Sequence, residues 1–170
     1  MDITILLPTK NRFFYMKRCL KYYKNLNFKG KIIILDGSVQ SEYDKLKEFI
    51  KELKLLNIKH IFDSTLLMPE GEMKYLSSVD TEFVSIAGDD DLLIPNGIAQ
   101  CINHLNNNQD LLAVHGEGVI IPDPDLNKVP QIPFIGPYPG PLRLEDKPSL
   151  RAINHVYDYS RCGQSPTFSV

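Results

Sequence analysis

No stretch of the 170-residue sequence approaches the ~20 consecutive apolar residues needed to span a bilayer, so no transmembrane segment is expected. Neither sign of charge is in excess. The 19 Lys and Arg stand against 21 Asp and Glu, for a formal net charge of −2, and the broad positive field of a nucleic-acid binder is missing. Cysteine is scarce: Cys19, Cys101 and Cys162 are an odd number without metal-type spacing, which excludes a disulfide framework and a Cys-rich metal centre. The chain also runs into its first apolar segment without a charged and apolar leader. These absences predict a reduced, cytoplasmic protein, and leave open a peripheral place on the inner face of a membrane.

What is present is 43% hydrophobic content, enough for one domain with a core. "ITILLPT", Ile3 to Thr9, is a run of branched apolar residues closed by Pro8 and reads as a strand buried on both faces. A helix follows, with Asn11 as its expected cap and Phe13, Met16, Leu20 and Tyr23 on one stripe. Its basic residues, Lys10 to Lys24 in "KNRFFYMKRCLKYYKN", interleave with apolar ones at helical spacing. They read as a solvated helix face in preference to a patch for phosphates or anionic lipid.

"KIIILDGS" is a second buried strand stopping at Asp36, and Ser41 with Asp44 has the pattern of a capping box for a helix burying Leu46, Phe49, Ile50 and Leu53. "IKHIFD" and "TEFVSIA" read as strands three and four around a short helix in "EGEMKYLSSV". Pro95 opens a helix in which Ile98, Cys101, Ile102 and Leu105 recur, and "DLLAVHGEGVII" reads as a fifth strand. Strands and helices alternating in this way predict an α/β, Rossmann-like fold with a mostly parallel central sheet and helices on both faces. From Pro122 onward the density of Pro and Gly predicts extended loop, then a helix from Ser149 and a last strand in "SPTFSV" that has only begun when the sequence stops.

"VSIAGDDDLLIP" sets three carboxylates side by side at the end of strand four. Adjacent like charges repel by roughly 1–3 kcal/mol at the effective dielectric of a protein surface, so something must compensate. A divalent cation, the hydroxyls of a ligand and plain solvent exposure are the alternatives. Ligands of open parallel sheets bind beyond the carboxyl ends of the strands, and the polar clusters lie there. Strand one ends in Pro8, Thr9, Lys10, Asn11 and Arg12, strand two in Asp36, Gly37 and Ser38, strand four in Gly88, Asp89, Asp90 and Asp91. Singly, Asn11 is a cap, Asp36 a turn residue and Asp89 to Asp91 a solvated loop; jointly they point to one crevice.

"TILLPTKNR", "IIILDGS" and "TEFVSIAGDDDLLIP" resemble, in order and rough spacing, the opening three signatures of the family 2 glycosyltransferases with the GT-A fold. The likeness covers Ile3 to Leu105 and weakens after Pro122. It implies a nucleotide-diphosphate sugar as donor, a UDP-sugar favoured, and an acceptor that is a saccharide, a lipid-linked saccharide or a protein. It also implies Mn²⁺ or Mg²⁺ as cofactor and an inverting transfer. By the same resemblance Pro8, Thr9 and Asn11 line the nucleoside pocket and Asp36 accepts a hydrogen bond from the base. Gly88 replaces the first Asp of the D-x-D-D signature and Asp89 stands in for it. Asp90 is then a ribose or metal-shell carboxylate and Asp91 the direct metal ligand. A hard divalent ion held by carboxylates suits a diphosphate leaving group.

An inverting transferase needs a base for the acceptor hydroxyl. No downstream motif supplies one, and Glu117, Glu145, Asp146 and Asp158 are the candidates. His115 in "AVHGEG" is expected near the crevice, whereas His60, His104 and His155 read as surface or helix residues. The domain reading is a nucleotide-sugar-binding core over 1–121 and, within the same domain, a Pro-rich loop and the start of an acceptor-side region over 122–170. Two rival readings remain: a module that binds donor but transfers poorly because the chain is short or the site degenerate, and a GT-A-like nucleotidyltransferase. The second is disfavoured because "TKNRFF" has no Gly for a phosphate-cradling loop.

Overall fold

The computed structural model describes residues 1–54, 56–66 and 71–116, the backbone of 70, 118–120 and 134–136, and residues 147, 149 and 150. The chain divides into two compact units, one over Met1–Val114 and one that begins at His115. The first is an α/β layer structure. Its elements run β1 (Ile3–Thr9), α1 (Phe13–Asn25), β2 (Lys31–Asp36), α2 (Gln40–Lys51), β3 (Asn57–Phe62), α3 (Glu70–Leu76), β4 (Phe83–Ile86) and α4 (Pro95–Asn107). The four strands form one parallel sheet in the order β3-β2-β1-β4.

Alternation along the strands builds the two faces. Ile5 and Leu7 of β1 with Ile32 and Ile34 of β2 point to one side, where Met16, Cys19, Leu20 and Tyr23 of α1, Leu46 and Phe49 of α2 and Ile98 of α4 cover them. Leu6, Ile33 and Leu35 point to the other side, under Leu66 and, from α3, Tyr75 and Leu76. Both central strands are therefore sealed on both faces, as their unbroken apolar runs require. The chain moves outward from β1 to β2 to β3 with helices on one face, then crosses back to β4 with α3 on the other. Right-handed crossovers demand that change of face when the direction reverses. The reversal leaves a switch point between β1 and β4, the place where an open parallel sheet offers a crevice at its carboxyl edge.

Three local expectations are corrected. Asn11 does not cap α1: Arg12 holds the N-cap position without a side-chain cap bond, and Asn11 takes φ 58° to bond another loop. Nor do Ser41 and Asp44 make a capping box, because α2 already begins at Gln40; Val39 is its N-cap and the Asp44 Oδ1 accepts from the Gln40 side chain instead. The fifth parallel strand is not formed as read. Residues 109–116 are irregular, Leu112 is exposed, and β5 (Gly118–Ile120) pairs antiparallel with β6 (Phe134–Gly136) in a separate two-stranded sheet. Gly116 and Gly118 interrupt the apolar run, and a short apolar run does not by itself state its partner. Residues 149 and 150 are helical as expected, while the rest of that segment, Cys162 and "SPTFSV" lie outside the described residues.

Candidate functional site

The carboxyl ends of β1 and β4 carry the first group of polar side chains. Thr9 closes β1 and its hydroxyl donates to Asp89 Oδ2 at 2.6 Å, a buried bond across the switch point. Arg12 spans the same gap, with Nε 2.8 Å from Asp89 Oδ1 and a terminal nitrogen 2.5 Å from Asp90 Oδ2. Asp89 is thus enclosed, its side chain 4% exposed, whereas that of Asp90 is 50% exposed. Burial pushes the Asp89 carboxyl up, and neither the Thr9 bond nor the Arg12 charge fully offsets it. For Arg12 burial opposes the charge, but Asp89 and Asp90 outweigh it and hold its pKa above the ordinary value. The compensation that three neighbouring acids require is therefore partly built in: the single charge of Arg12 is shared between two of them.

Asp91 makes no hydrogen bond or ion pair through its carboxylate among the described residues, and its backbone N–H closes the turn onto the Gly88 carbonyl at 3.2 Å. Gly88 leaves open space beside the Asp90 and Asp91 carboxylates. A Cβ there would lie 3.0 Å from Asp90 Oδ1 and 3.1 Å from Asp91 Oδ2, so two carboxylate oxygens converge beside a position that carries no side chain. An Asp at 88 would press against both. The loop continues to α4 along α1: the Leu93 N–H donates to the Tyr23 hydroxyl and its carbonyl accepts from that of Tyr22, at 3.2 and 3.3 Å.

A second group lies at the ends of β1 and β2. The Asn11 N–H donates to Ser38 Oγ and Asn11 Oδ1 accepts the Val39 N–H, both at 2.8 Å, which ties the two loops together and accounts for the left-handed backbone. Asp36 is fully buried. Its Oδ1 accepts the Ser38 N–H and its Oδ2 meets His60 Nε2, each at 2.9 Å. A carboxylate only accepts, so His60 Nε2 carries the proton. Behind it, Tyr43 packs its ring 5.1 Å from the imidazole and stacks on Phe62 at 4.1 Å. His60 is therefore a strand residue held on Asp36, not the surface or helix residue that its sequence suggested.

Burial alone would raise the Asp36 pKa, but the bonds from His60 and Ser38 prevail and the carboxyl sits below its ordinary value. A lowered folded pKa means that ionised Asp36 contributes stability above the unfolded value of about 4, and that this contribution is lost as pH falls through the folded one. The stability difference between wild type and Asp36→Asn, measured by urea titration, is expected to be largest near neutrality and to shrink toward pH ~3. A difference independent of pH would show that the charge of Asp36 contributes nothing.

Of the residues singled out in the sequence, the structure joins Thr9 directly to Asp89 and Asp89 to Asp90 through Arg12, with Asp91 on the same turn. Asn11 and Asp36 meet through Ser38, and Pro8 sits half-buried in β1 against Leu35 of β2. The counter-ion role of Arg12 and the His60–Asp36 pair were missed. Arg12 shares its loop with Lys10, and nothing in the local sequence distinguishes the one that meets the acidic triplet. Glu117, Glu145, Asp146 and Asp158 lie outside the described residues, and His115 belongs to the second unit, its Nδ1 3.2 Å from the Gly116 carbonyl. An open cavity of about 310 Å³ lies at the other end of β4, against Phe83, Leu105 and Leu111, and gathers no catalytic chemistry.

No protein-family model matches the chain, and no curated protein matches it in sequence. Solved structures do. The chain is similar to a mannosyltransferase from Pyrobaculum calidifontis in complex with GDP-Man and Mn²⁺, with a TM-score of 0.53 at 16% identity over 61% of this chain and 32% of that one. The fold is glycosyltransferase-like. The 1-349 segment of S. aureus TarS is equally similar: bound to UDP-GlcNAc it gives a TM-score of 0.53 at 16% identity, covering 64% of this chain and 32% of that one. Its UDP complex gives 0.53 at 16% over 64% and 33%. Likeness at this identity establishes the fold, and the chain spans about a third of the length of these solved chains. Among the described residues no helix is long and apolar enough to cross a membrane.

Proposed function

We propose that this chain forms the donor-binding part of a divalent-metal-dependent, inverting glycosyltransferase that takes its sugar from a nucleotide diphosphate. The observation that carries the reading is the gathering of Thr9, Arg12 and Asp89 to Asp91 at the switch point of a glycosyltransferase-like sheet. Neighbours bound to GDP-Man with Mn²⁺ and to UDP-GlcNAc support the ligand class, and a UDP-sugar is the favoured donor.

The donor set fits a hard cation. Asp90 and Asp91 present oxygens that converge beside Gly88, and Asp91 is uncommitted among the described residues. Among the described residues no three His, Cys, Asp or Glu side chains gather into a ready-made cage, but Mg²⁺ is commonly held by one or two carboxylates together with substrate phosphates. Mn²⁺ or Mg²⁺ on Asp91 and Asp90 would supply charge neutralisation for the departing diphosphate. Asp89 fixes Thr9 and Arg12, and Arg12 keeps a positive charge at the mouth of the crevice. Pro8, Thr9 and Asn11 form the wall proposed for the nucleoside. Asp36 is fully buried with His60 on one oxygen and the Ser38 N–H on the other, so a base edge would reach it only if this cover moves aside.

The test is calorimetric titration with UDP, GDP, ADP and their sugars, with and without Mn²⁺. Binding is expected to favour UDP and to fall by roughly tenfold or more with EDTA, the size of an ordinary coupling between two ligands. Affinity unchanged by chelator would remove the metal from the reading. In the same assay Asp36→Ala is expected to narrow the preference among bases. Equal losses for all three would show that Asp36 only orders the loop.

A further inference from the structure

Charge is segregated along this chain in a way its net value conceals. Between Ile3 and Leu35 fall eight of the 19 basic residues and none of the 21 acidic ones. Two of the eight are matched: Arg12 by Asp89 and Asp90, and Lys31 by Asp80. Lys10, Lys17, Arg18, Lys21 and Lys24 have no carboxylate partner among the described residues, so α1 presents unneutralised positive charge.

The same surface is apolar where a solvated helix would be polar. Phe14, 71% exposed, shares a stripe with exposed Arg18 and Lys21, at spacings of four and seven residues. Beside it the Tyr15 ring is near two guanidinium groups, 4.3 Å from that of Arg12 and 5.3 Å from that of Arg18. Ile94, 61% exposed, and Leu92 flank Leu93, whose backbone is bonded to Tyr22 and Tyr23 of α1, so they border the same helix.

We propose that the outer face of α1, with Leu92 and Ile94, docks on the surface of an anionic lipid bilayer. Basic side chains with interspersed aromatic and aliphatic ones match a headgroup layer, where the charge meets anionic lipid and Phe14 and Ile94 enter the acyl boundary. A soluble polyanion would satisfy the lysines and leave Phe14, Leu92 and Ile94 in water. The mouth of the candidate site, at the start of α1 and before α4, would then lie beside the membrane surface. The docking surface is independent of whether the chain transfers sugar.

Co-sedimentation with vesicles tests this on the full chain. Vesicles containing about one-third phosphatidylserine are expected to bind the protein at least tenfold better than pure phosphatidylcholine, and ~0.5 M salt to abolish the difference by screening. The double variant Arg18→Glu, Lys21→Glu should lose the preference for anionic vesicles. Phe14→Ala should weaken binding several-fold with an unchanged melting temperature, because its ring is already in water in the free protein. Equal binding to both vesicle types, binding indifferent to the charge reversal, or retention on heparin without retention on anionic vesicles would each overturn the proposal.

Discussion

Replacing Asp89 by alanine is expected to destabilise the folded chain by about 2–4 kcal/mol, a large loss for a loop residue. The carboxylate is enclosed, and its two oxygens satisfy the Thr9 hydroxyl and the Arg12 Nε. Truncation leaves a buried hydroxyl without its acceptor and the Arg12 Nε without its partner, with Arg12 held at the β4 end of the crevice by Asp90 alone. The cost comes mainly from unmet polar groups and not from a lost charge. Burial already pushes the Asp89 carboxyl up, so its ionised form is not favoured by the fold. Asp89→Asn, which keeps an oxygen for Thr9, should therefore cost distinctly less than Asp89→Ala. Denaturant midpoints of the two variants check this, and equal losses would show that the ion pair with Arg12 contributes more than the bond to Thr9.

Asp91→Asn is expected to behave in the opposite way. An exposed side chain without a hydrogen bond or ion pair among the described residues should change stability by no more than about 0.5 kcal/mol. Yet, on the function proposed above, it should remove the coupling between Mn²⁺ and a nucleoside diphosphate, a change of about 10- to 100-fold in nucleotide affinity at saturating metal. Calorimetry with and without Mn²⁺ reads the coupling, and thermal unfolding reads the fold. A variant that melts many degrees lower while keeping metal-dependent binding would turn the two assignments around, with Asp91 structural and Asp89 the ligand.

The central strands were legible because each is a run of branched apolar residues closed by a residue that ends it. β1 occupies Ile3–Thr9 as read, and β2 reaches Asp36. The buried stripe of α1 was legible for the same reason: Met16, Leu20 and Tyr23 lie one turn apart. The caps were not. A short polar side chain before a helix bonds either its own helix or a neighbouring loop. Asn11 chose Val39, a choice decided by where β2 ends and not by the residues around Asn11. His60 was hidden by the same kind of ignorance: it faces Asp36 only once β2 and β3 lie side by side in register. Arg12 likewise reads as one more helix-flanking cation until β4 brings Asp89 and Asp90 to it. Local pattern states what each segment is, and the order of strands states whom it meets.

That order also bears on how the chain folds. In the central strand, Thr4 lies beside Lys31 on one side and Val84 on the other, and the Thr9–Asp89 bond joins residues 80 positions apart. Pairing β1 with β2 and β2 with β3 closes short loops through one helix each, whereas β4 must wait for a far longer closure before its four residues are rewarded. The crevice is thus expected to be the last part of the sheet to assemble and the first to exchange its amide hydrogens. A chain arrested one step early would carry most of its core, an open edge along β1, and no site.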